Sequence, residues 1–169
     1  MREVEGSVKI EGGVLADLYL AYAPGAIRLA YLLTGDRSIA EDLVQDAFVR
    51  ITGRFVHLRD AGAFPAYLRT SVVNLARSHG RRRVVERRFQ QRTADPADLV
   101  SRDPDAVEQE AMRVALLQLP IRQRSAIVLR YYEDLSEAQI AELLRCRPGT
   151  VKSLISRGTQ RLRPLLTDG

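Results

Sequence analysis

The chain contains no tryptophan, and its single cysteine, Cys146, excludes a disulfide within the chain. Only two histidines are present, His57 and His79, and both lie far from Cys146, so the usual ligand spacing of a zinc site is missing. No apolar run approaches the ~20 residues that a bilayer-spanning helix needs, which argues against membrane insertion. The opening residues, MREVEGSVKIEGG, lack the apolar core of a signal peptide. A cytoplasmic location is the resulting expectation. There is no Gly-rich phosphate loop, no nucleophile–base motif and no carboxylate cluster of metal-site type. Glu41, Asp42 and Asp46 gather on one helical segment, but no histidine joins them in the pattern. No cofactor, metal or catalytic residue is therefore expected.

What the chain does have is positive charge, unevenly distributed. The net charge is +5 and the isoelectric point about 9.8, which favours an anionic partner such as nucleic acid. Residues 135–162, LSEAQIAELLRCRPGTVKSLISRGTQRL, carry the clearest pattern. They read as a helix, a tight turn and a second helix. Ser136 can cap the first helix, with Gln139 closing a capping box and Leu135 and Ile140 placed as a hydrophobic staple. The second helix begins near Pro148, whose fixed φ suits a first helical position. Val151, Leu154, Ile155, Gly158 and Leu162 fall on one stripe. Lys152, Ser153, Ser156, Arg157 and Gln160 fall on the opposite face. From Arg145 to Arg163 there are six basic residues and no acid, whereas a merely solvated face mixes both signs. One side anchored in a core and the other offering donors to base edges and phosphates is the build of a DNA-reading helix.

The rest of the chain is helical in pattern, with no convincing strand alternation. The expected fold is all-α: two small helical domains joined by a flexible linker, the second containing a helix-turn-helix. Residues 1–13 read as a polar tail, 14–92 as the first domain, 93–105 as an acidic linker and 106–169 as the second domain. The first helix runs from about Val14 to Leu33, with Leu15, Leu18, Tyr22, Ile27, Leu29, Ala30 and Leu33 as core contacts and a kink or split at Pro24-Gly25. Asp36 or Ser38 can cap a second helix, and Ser38 with Glu41 fits a capping box. Its apolar stripe is Ala40, Leu43, Val44, Ala47, Phe48 and Ile51, and its outer face Glu41, Asp42, Gln45 and Asp46. A break at 57–62 precedes a third helix from about Phe64 to Arg83 or beyond, in which Phe64 and Tyr67 are expected in the core. Charge then reverses: seven arginines face one acid over 77–92, and six acids face one arginine over 93–110. Helices at about 107–117 and 120–132 lead into the hairpin.

In this order the segments resemble the bacterial sigma-70 superfamily, in its small two-domain extracytoplasmic-function group. LTGDRSIAEDLVQDAFVRI is similar to the segment that docks on core RNA polymerase. AFPAYLRTSVVNLARSHGRRR is similar to the one that recognises and opens the −10 element, and LPIRQRSAIVLRYYEDLSEAQIAELLRCRPGTVKSLISRGTQRLR to the region that reads the −35 element. LTGD, AEDLVQ and VNLARS resemble the actinobacterial branch. The resemblance implies a sigma factor that is a monomer when free. Its implied partners are core RNA polymerase, through the β′ coiled coil and the β subunit, promoter DNA and a possible anti-sigma factor.

Residue by residue, the resemblance puts polymerase contacts at Glu41, Asp42, Gln45 and Asp46. It puts −10 contacts at His57, Arg59, Asp60, Asn74, Arg77, Arg81 and Arg82, where the 57–62 break matches the loop that captures a flipped base. It puts −35 contacts at Arg147, Thr150, Lys152, Ser153, Ser156, Arg157 and Arg161. Arg145 stands where many relatives carry Gly, Leu154 where Arg is common and Gly158 where Ala is common. With so few aromatics, melting should depend on few base captures. Competing readings of the same residues are a stand-alone helix-turn-helix regulator and, more remotely, a small DNA-processing enzyme. A regulator needs no polymerase-binding face.

Overall fold

The computed structural model describes residues 12–55, 61–89 and 104–167. Among them are seven α-helices, one short 3-10 turn and no strand. α1 spans Gly12–Thr34, α2 Arg37–Phe55 and α3 Phe64–Phe89, the last preceded by the 3-10 turn Ala61–Ala63. α4 spans Pro104–Leu117, α5 Ile121–Tyr131, α6 Glu137–Leu144 and α7 Pro148–Thr167. The all-α expectation holds.

α1, α2 and α3 pack against one another through the stripes that sequence spacing picks out. Leu29, Ala30 and Leu33 of α1 meet Ala40, Val44, Ala47, Phe48 and Ile51 of α2 and Phe64, Leu68, Val72, Val73 and Ala76 of α3, all buried. An aromatic relay crosses the centre: Tyr19 meets Phe48 edge-on at 4.9 Å, Phe48 meets Phe64 at 5.4 Å, and Phe64 meets Tyr22 at 5.6 Å between centroids. Such tilted pairs suit the ring quadrupoles and add to the burial of apolar area.

Three local expectations need correction. α1 is not split at Pro24 but continues through it as one helix, because buried residues on both sides of it, Ala23, Ala26 and Leu29, hold the same packing face. Of the two expected caps of α2, Asp36 is the one used, its carboxylate Oδ1 accepting the Ile39 N–H at 3.0 Å; the capping box expected of Ser38 with Glu41 does not form, because Ser38 lies inside the helix. Tyr67 is half-exposed rather than in the core, whereas Phe64 is fully buried.

The C-terminal helices form the expected hairpin. The Ser136 hydroxyl accepts the Gln139 N–H at 3.2 Å, and the Gln139 side chain accepts the Ser136 N–H at 2.9 Å, completing the capping box. Leu135 and Ile140 are both buried beside it. α6 ends at Arg145, which adopts the left-handed conformation with φ 53°. Its N–H bonds the Glu142 carbonyl and that of Cys146 the Ala141 carbonyl, a closure that glycine normally provides. Pro148 opens α7 as expected.

The two groups of helices do not stand apart. One continuous buried core runs from α1–α3 into α4–α7, and α4 and α5 pack against α1 while α5 packs against α3.

Candidate nucleic-acid and protein interfaces

α7 presents the two faces that its spacing requires. Val151, Gly158 and Leu162 are buried against α5 and α6, with Leu154 and Ile155 half-buried beside them. Lys152, Ser153, Ser156, Arg157 and Arg161 are exposed, as is Arg147 in the turn, and Thr150 is half-buried at the first turn. These seven side chains therefore belong to one side of the helix-turn-helix, and all but Thr150 are exposed. The edge can donate to phosphates through Arg and Lys and to base edges through Arg and Ser.

The depth at which α7 sits has a cause that sequence spacing cannot show. At Gly158 a β-carbon would stand 2.5 Å from Ile127 Cδ1 and 3.3 Å from its Cγ1. The missing side chain lets α7 lie close to α5, which is why glycine is present in the middle of a helix it otherwise weakens.

On α2, Asp42, Gln45 and Asp46 are exposed, and Val49, 70% exposed, extends the same stripe by one turn. Val49 has no counterpart in the sequence reading, which sorted residues by polarity and so assigned no role to an apolar side chain at the end of an acidic stripe. Glu41 differs from its three companions. It is half-buried, and its carboxylate accepts from Arg37 Nε at 3.0 Å. Because α2 starts at Arg37, Glu41 and Asp42 lie beyond the first turn, so compensation of the helix dipole accounts for them poorly.

α3 carries the remaining candidates. Asn74 and Arg77 are half-buried, and Arg81 and Arg82 are exposed. Arg77 faces the second group of helices. Burial, then the like charges of Arg81 and Arg122, lower its guanidinium below the ordinary arginine value. Its Nε is buried and finds no hydrogen-bond partner among the described residues. One turn on, a β-carbon at Gly80 would come within 3.3 Å of Ile121 Cγ1 at the start of α5. His57, Arg59 and Asp60 lie outside the described residues.

Arg124 went unnoticed in the sequence, and it organises the junction. Its Nε donates to the Leu116 carbonyl at 2.9 Å, and its Nη2 to the Leu117 and Leu119 carbonyls at 3.0 Å each. Its Nη1 donates to the Leu33 carbonyl at 2.5 Å, at the C-terminus of α1. Burial pushes the guanidinium down to about 10, so it stays charged at neutral pH while satisfying carbonyls that two helix ends leave open.

Exposed basic side chains on a helix-turn-helix, set beside a three-helix unit with an acidic outer stripe, define an α-helical DNA-binding protein. Residues 18–86 match the family model for Sigma-70 region 2, and residues 109–162 match that for Sigma-70, region 4. The RNA polymerase sigma-E factor of Streptomyces coelicolor is 36% identical over 81% of this chain and 77% of its own length. The ECF RNA polymerase sigma factor SigL of Mycobacterium tuberculosis is 32% identical over 99% of this chain and 97% of its own. In structure, the sigma factor RpoE of Bartonella quintana, solved in complex with the anti-sigma factor NepR, superposes with a TM-score of 0.68 at 28% identity, over 89% of this chain and 95% of that one. The chain belongs to the sigma-70 family of RNA polymerase sigma factors, in the extracytoplasmic-function group. It directs promoter-specific transcription initiation. Sigma factors in general are not enzymes, and no described helix is long and apolar enough to cross a membrane.

Proposed function

We propose that α2 docks this factor on core polymerase, that α7 reads the −35 element and that α3, with the residues around His57, Arg59 and Asp60, reads and opens the −10 element. The α2 stripe Asp42–Gln45–Asp46–Val49 offers an acidic surface with an apolar end, suited to a basic partner helix such as the β′ coiled coil. Arg37 already engages Glu41, so Glu41 contributes to docking less than the other three. Asn74 can pair with a base edge, and Arg77, Arg81 and Arg82 suit phosphates. The chain acts in the cytoplasm, carries out no catalysis of its own and needs no cofactor.

The observation that carries the reading is the exposed face of α7, with Lys152, Ser153, Ser156, Arg157 and Arg161 and no acid between them. Holoenzyme titrated against −35 variants at several salt concentrations tests it. Arg157→Ala is expected to cost about 1–3 kcal/mol and relax preference at one or two base pairs. Lys152→Ala is expected to weaken all sequences alike and lower the salt slope by about one unit. If neither variant alters affinity, slope or preference, α7 is not the reader.

An anti-sigma factor is a further proposed partner. The Bartonella relative is bound by one. Here an apolar groove of about 400 Å³, lined by Leu32 of α1, Met112 and Leu116 of α4, Val128 and Tyr131 of α5 and Leu166 of α7, has the character of a seat for the apolar face of a partner helix. Met112→Glu is expected to abolish capture of a co-expressed cognate anti-sigma domain while transcription persists; unchanged capture would move the partner to another surface.

A further inference from the structure

A close contact between α3 and α5 gathers three arginines that nothing around them neutralises. At Gly80 a β-carbon would come within 3.3 Å of Ile121 Cγ1, so the α3 backbone runs close against the first residue of α5. Arg77 stands one turn before Gly80, Arg81 directly follows it, and Arg122 directly follows Ile121. Arg81 and Arg122 are exposed, and Arg77 is half-buried between them and the second group of helices. Neither α3 as far as Val85 nor α5 contains an acidic residue, so neither helix can supply a counter-charge along its own surface. Among the described residues the ion pairs join Arg37 to Glu41, Arg69 to Glu133 and Arg113 to Glu110, and none includes these three arginines.

The cluster is short of acceptors as well as of negative charge. Arg77 Nε is buried and has no hydrogen-bond partner among the described residues. A donor in that position has lost its bond to water and gained nothing in exchange. Burial first, then the like charges of Arg81 and Arg122, hold this guanidinium below the ordinary arginine value; the Cys146 thiol, in the turn after α6, acts the other way, and no carboxylate takes part. α5 adds donors of its own. Pro120 precedes it and offers no side-chain cap, while the Gln123 and Arg124 N–H groups turn back to the Pro120 carbonyl. The Ile121 and Arg122 N–H groups are therefore the open donors of the first turn, at the positive end of the helix dipole.

We propose that Arg77, Arg81 and Arg122, together with the open first turn of α5, form a binding site for a phosphate or pyrophosphate group, either free or at the end of a nucleotide. Guanidinium forks match phosphate oxygens in pairs, and an anion seated there gives Arg77 Nε the acceptor it lacks. Three positive charges beside a helix N-terminus favour a multivalent anion over chloride, so pyrophosphate binds tighter than phosphate. The site differs from the promoter face of α3 in one residue that decides the matter. Arg122 lies on α5, which has no part in reading either element, and the anion needs it.

The test is calorimetric titration and thermal unfolding of the full chain with sodium pyrophosphate, against sodium chloride at matched ionic strength. Saturable one-to-one binding is expected. A hundredfold excess over the dissociation constant should raise the melting temperature by roughly 5–10 °C. Arg122→Gln and Arg77→Gln should each weaken binding roughly tenfold or more. Without anion, Arg122→Gln should melt no lower than the unaltered chain, because it removes one of three like charges, so its lost response does not reflect lost folding. Arg50→Gln on α2 makes the same change in net charge and should bind as the unaltered chain does. Guanosine diphosphate is the second probe: binding tighter than pyrophosphate makes the ligand a nucleotide, equal binding makes it the free anion, and both support the site. Absence of saturable binding, or equal stabilisation by chloride, would overturn it. Full binding by Arg122→Gln would overturn it too, and would assign the anion to the promoter face of α3 alone.

Discussion

Gly158 and Ile127 occupy adjoining space so closely that no side chain larger than hydrogen fits at 158 without moving the isoleucine: the β-carbon position is 2.5 Å from Ile127 Cδ1. Gly158→Ala gains up to about 1 kcal/mol of helix propensity but overpacks a buried contact, which costs about 1–3 kcal/mol. A net loss of about 1 kcal/mol is expected in chemical denaturation. Ile127→Val removes the clashing carbon, so the double variant should recover most of that loss. A stabilised Gly158→Ala single variant would show that propensity, not packing, governs the site.

Arg145 holds a left-handed conformation that costs an L-residue about 1 kcal/mol. Arg145→Gly is expected to raise the melting temperature slightly while lowering DNA affinity through the loss of one exposed positive charge in the turn. Holoenzymes formed with the two proteins that bind promoter duplex equally at both low and high salt would remove the charge from the account.

Ser136→Ala removes the hydroxyl that accepts the Gln139 N–H and breaks the reciprocal box. A loss of about 1 kcal/mol is expected, read from the unfolding midpoint. Since Ser136 is exposed and off the reading face, base preference should not change.

Arg113 holds the Glu110 carboxyl below its usual range, chiefly through the hydrogen bond it donates. A carboxyl lowered on folding contributes stability above its unfolded value and loses it as the pH falls through the lower, folded value. Glu110→Gln should therefore melt at a lower temperature than the unaltered chain near neutral pH. The gap should close as acid protonates Glu110, and it should be small because the carboxylate is partly solvated. A gap that stays constant across the acid range would assign the effect to packing instead.

What was legible in the sequence was local. The capping box at Ser136, the start of α7 at Pro148 and the burial of Val151 and Leu162 follow from residues a few positions apart, and each stands where spacing put it. The cap of α2 was harder, because Asp36 and Ser38 both fit the pattern and only the geometry of the turn after Gly35 favours Asp36. Tyr67 was misplaced since helical spacing does not reveal which flank of a stripe is covered. Arg124 and Gly158 were invisible for a different reason. Their partners, Leu33 and Ile127, are distant in sequence, and nothing in an isolated Arg or Gly announces a long-range contact. The seam between the two groups of helices was lost in the same way, as it is built from pairs such as Arg69 and Glu133.

Docking through α2 gives its own expectation. Asp42 and Gln45 are exposed on α2, so the double change Asp42→Arg with Gln45→Arg should leave helicity and melting temperature nearly unaltered. Binding to core polymerase should weaken at least tenfold, read by titration of labelled factor. Loss of folding with the same change would make the stripe structural.

The central claim is that this chain brings polymerase to promoters and does not act as a stand-alone regulator. The direct measurement is run-off transcription by core polymerase on genomic promoter fragments, with and without the protein, beside a gel shift of the protein alone on the same fragments. The account predicts factor-dependent transcripts from a specific subset of promoters, with weak or no shift by the free protein. Tight duplex binding by the protein alone, with no factor-dependent transcript from any fragment, would contradict it.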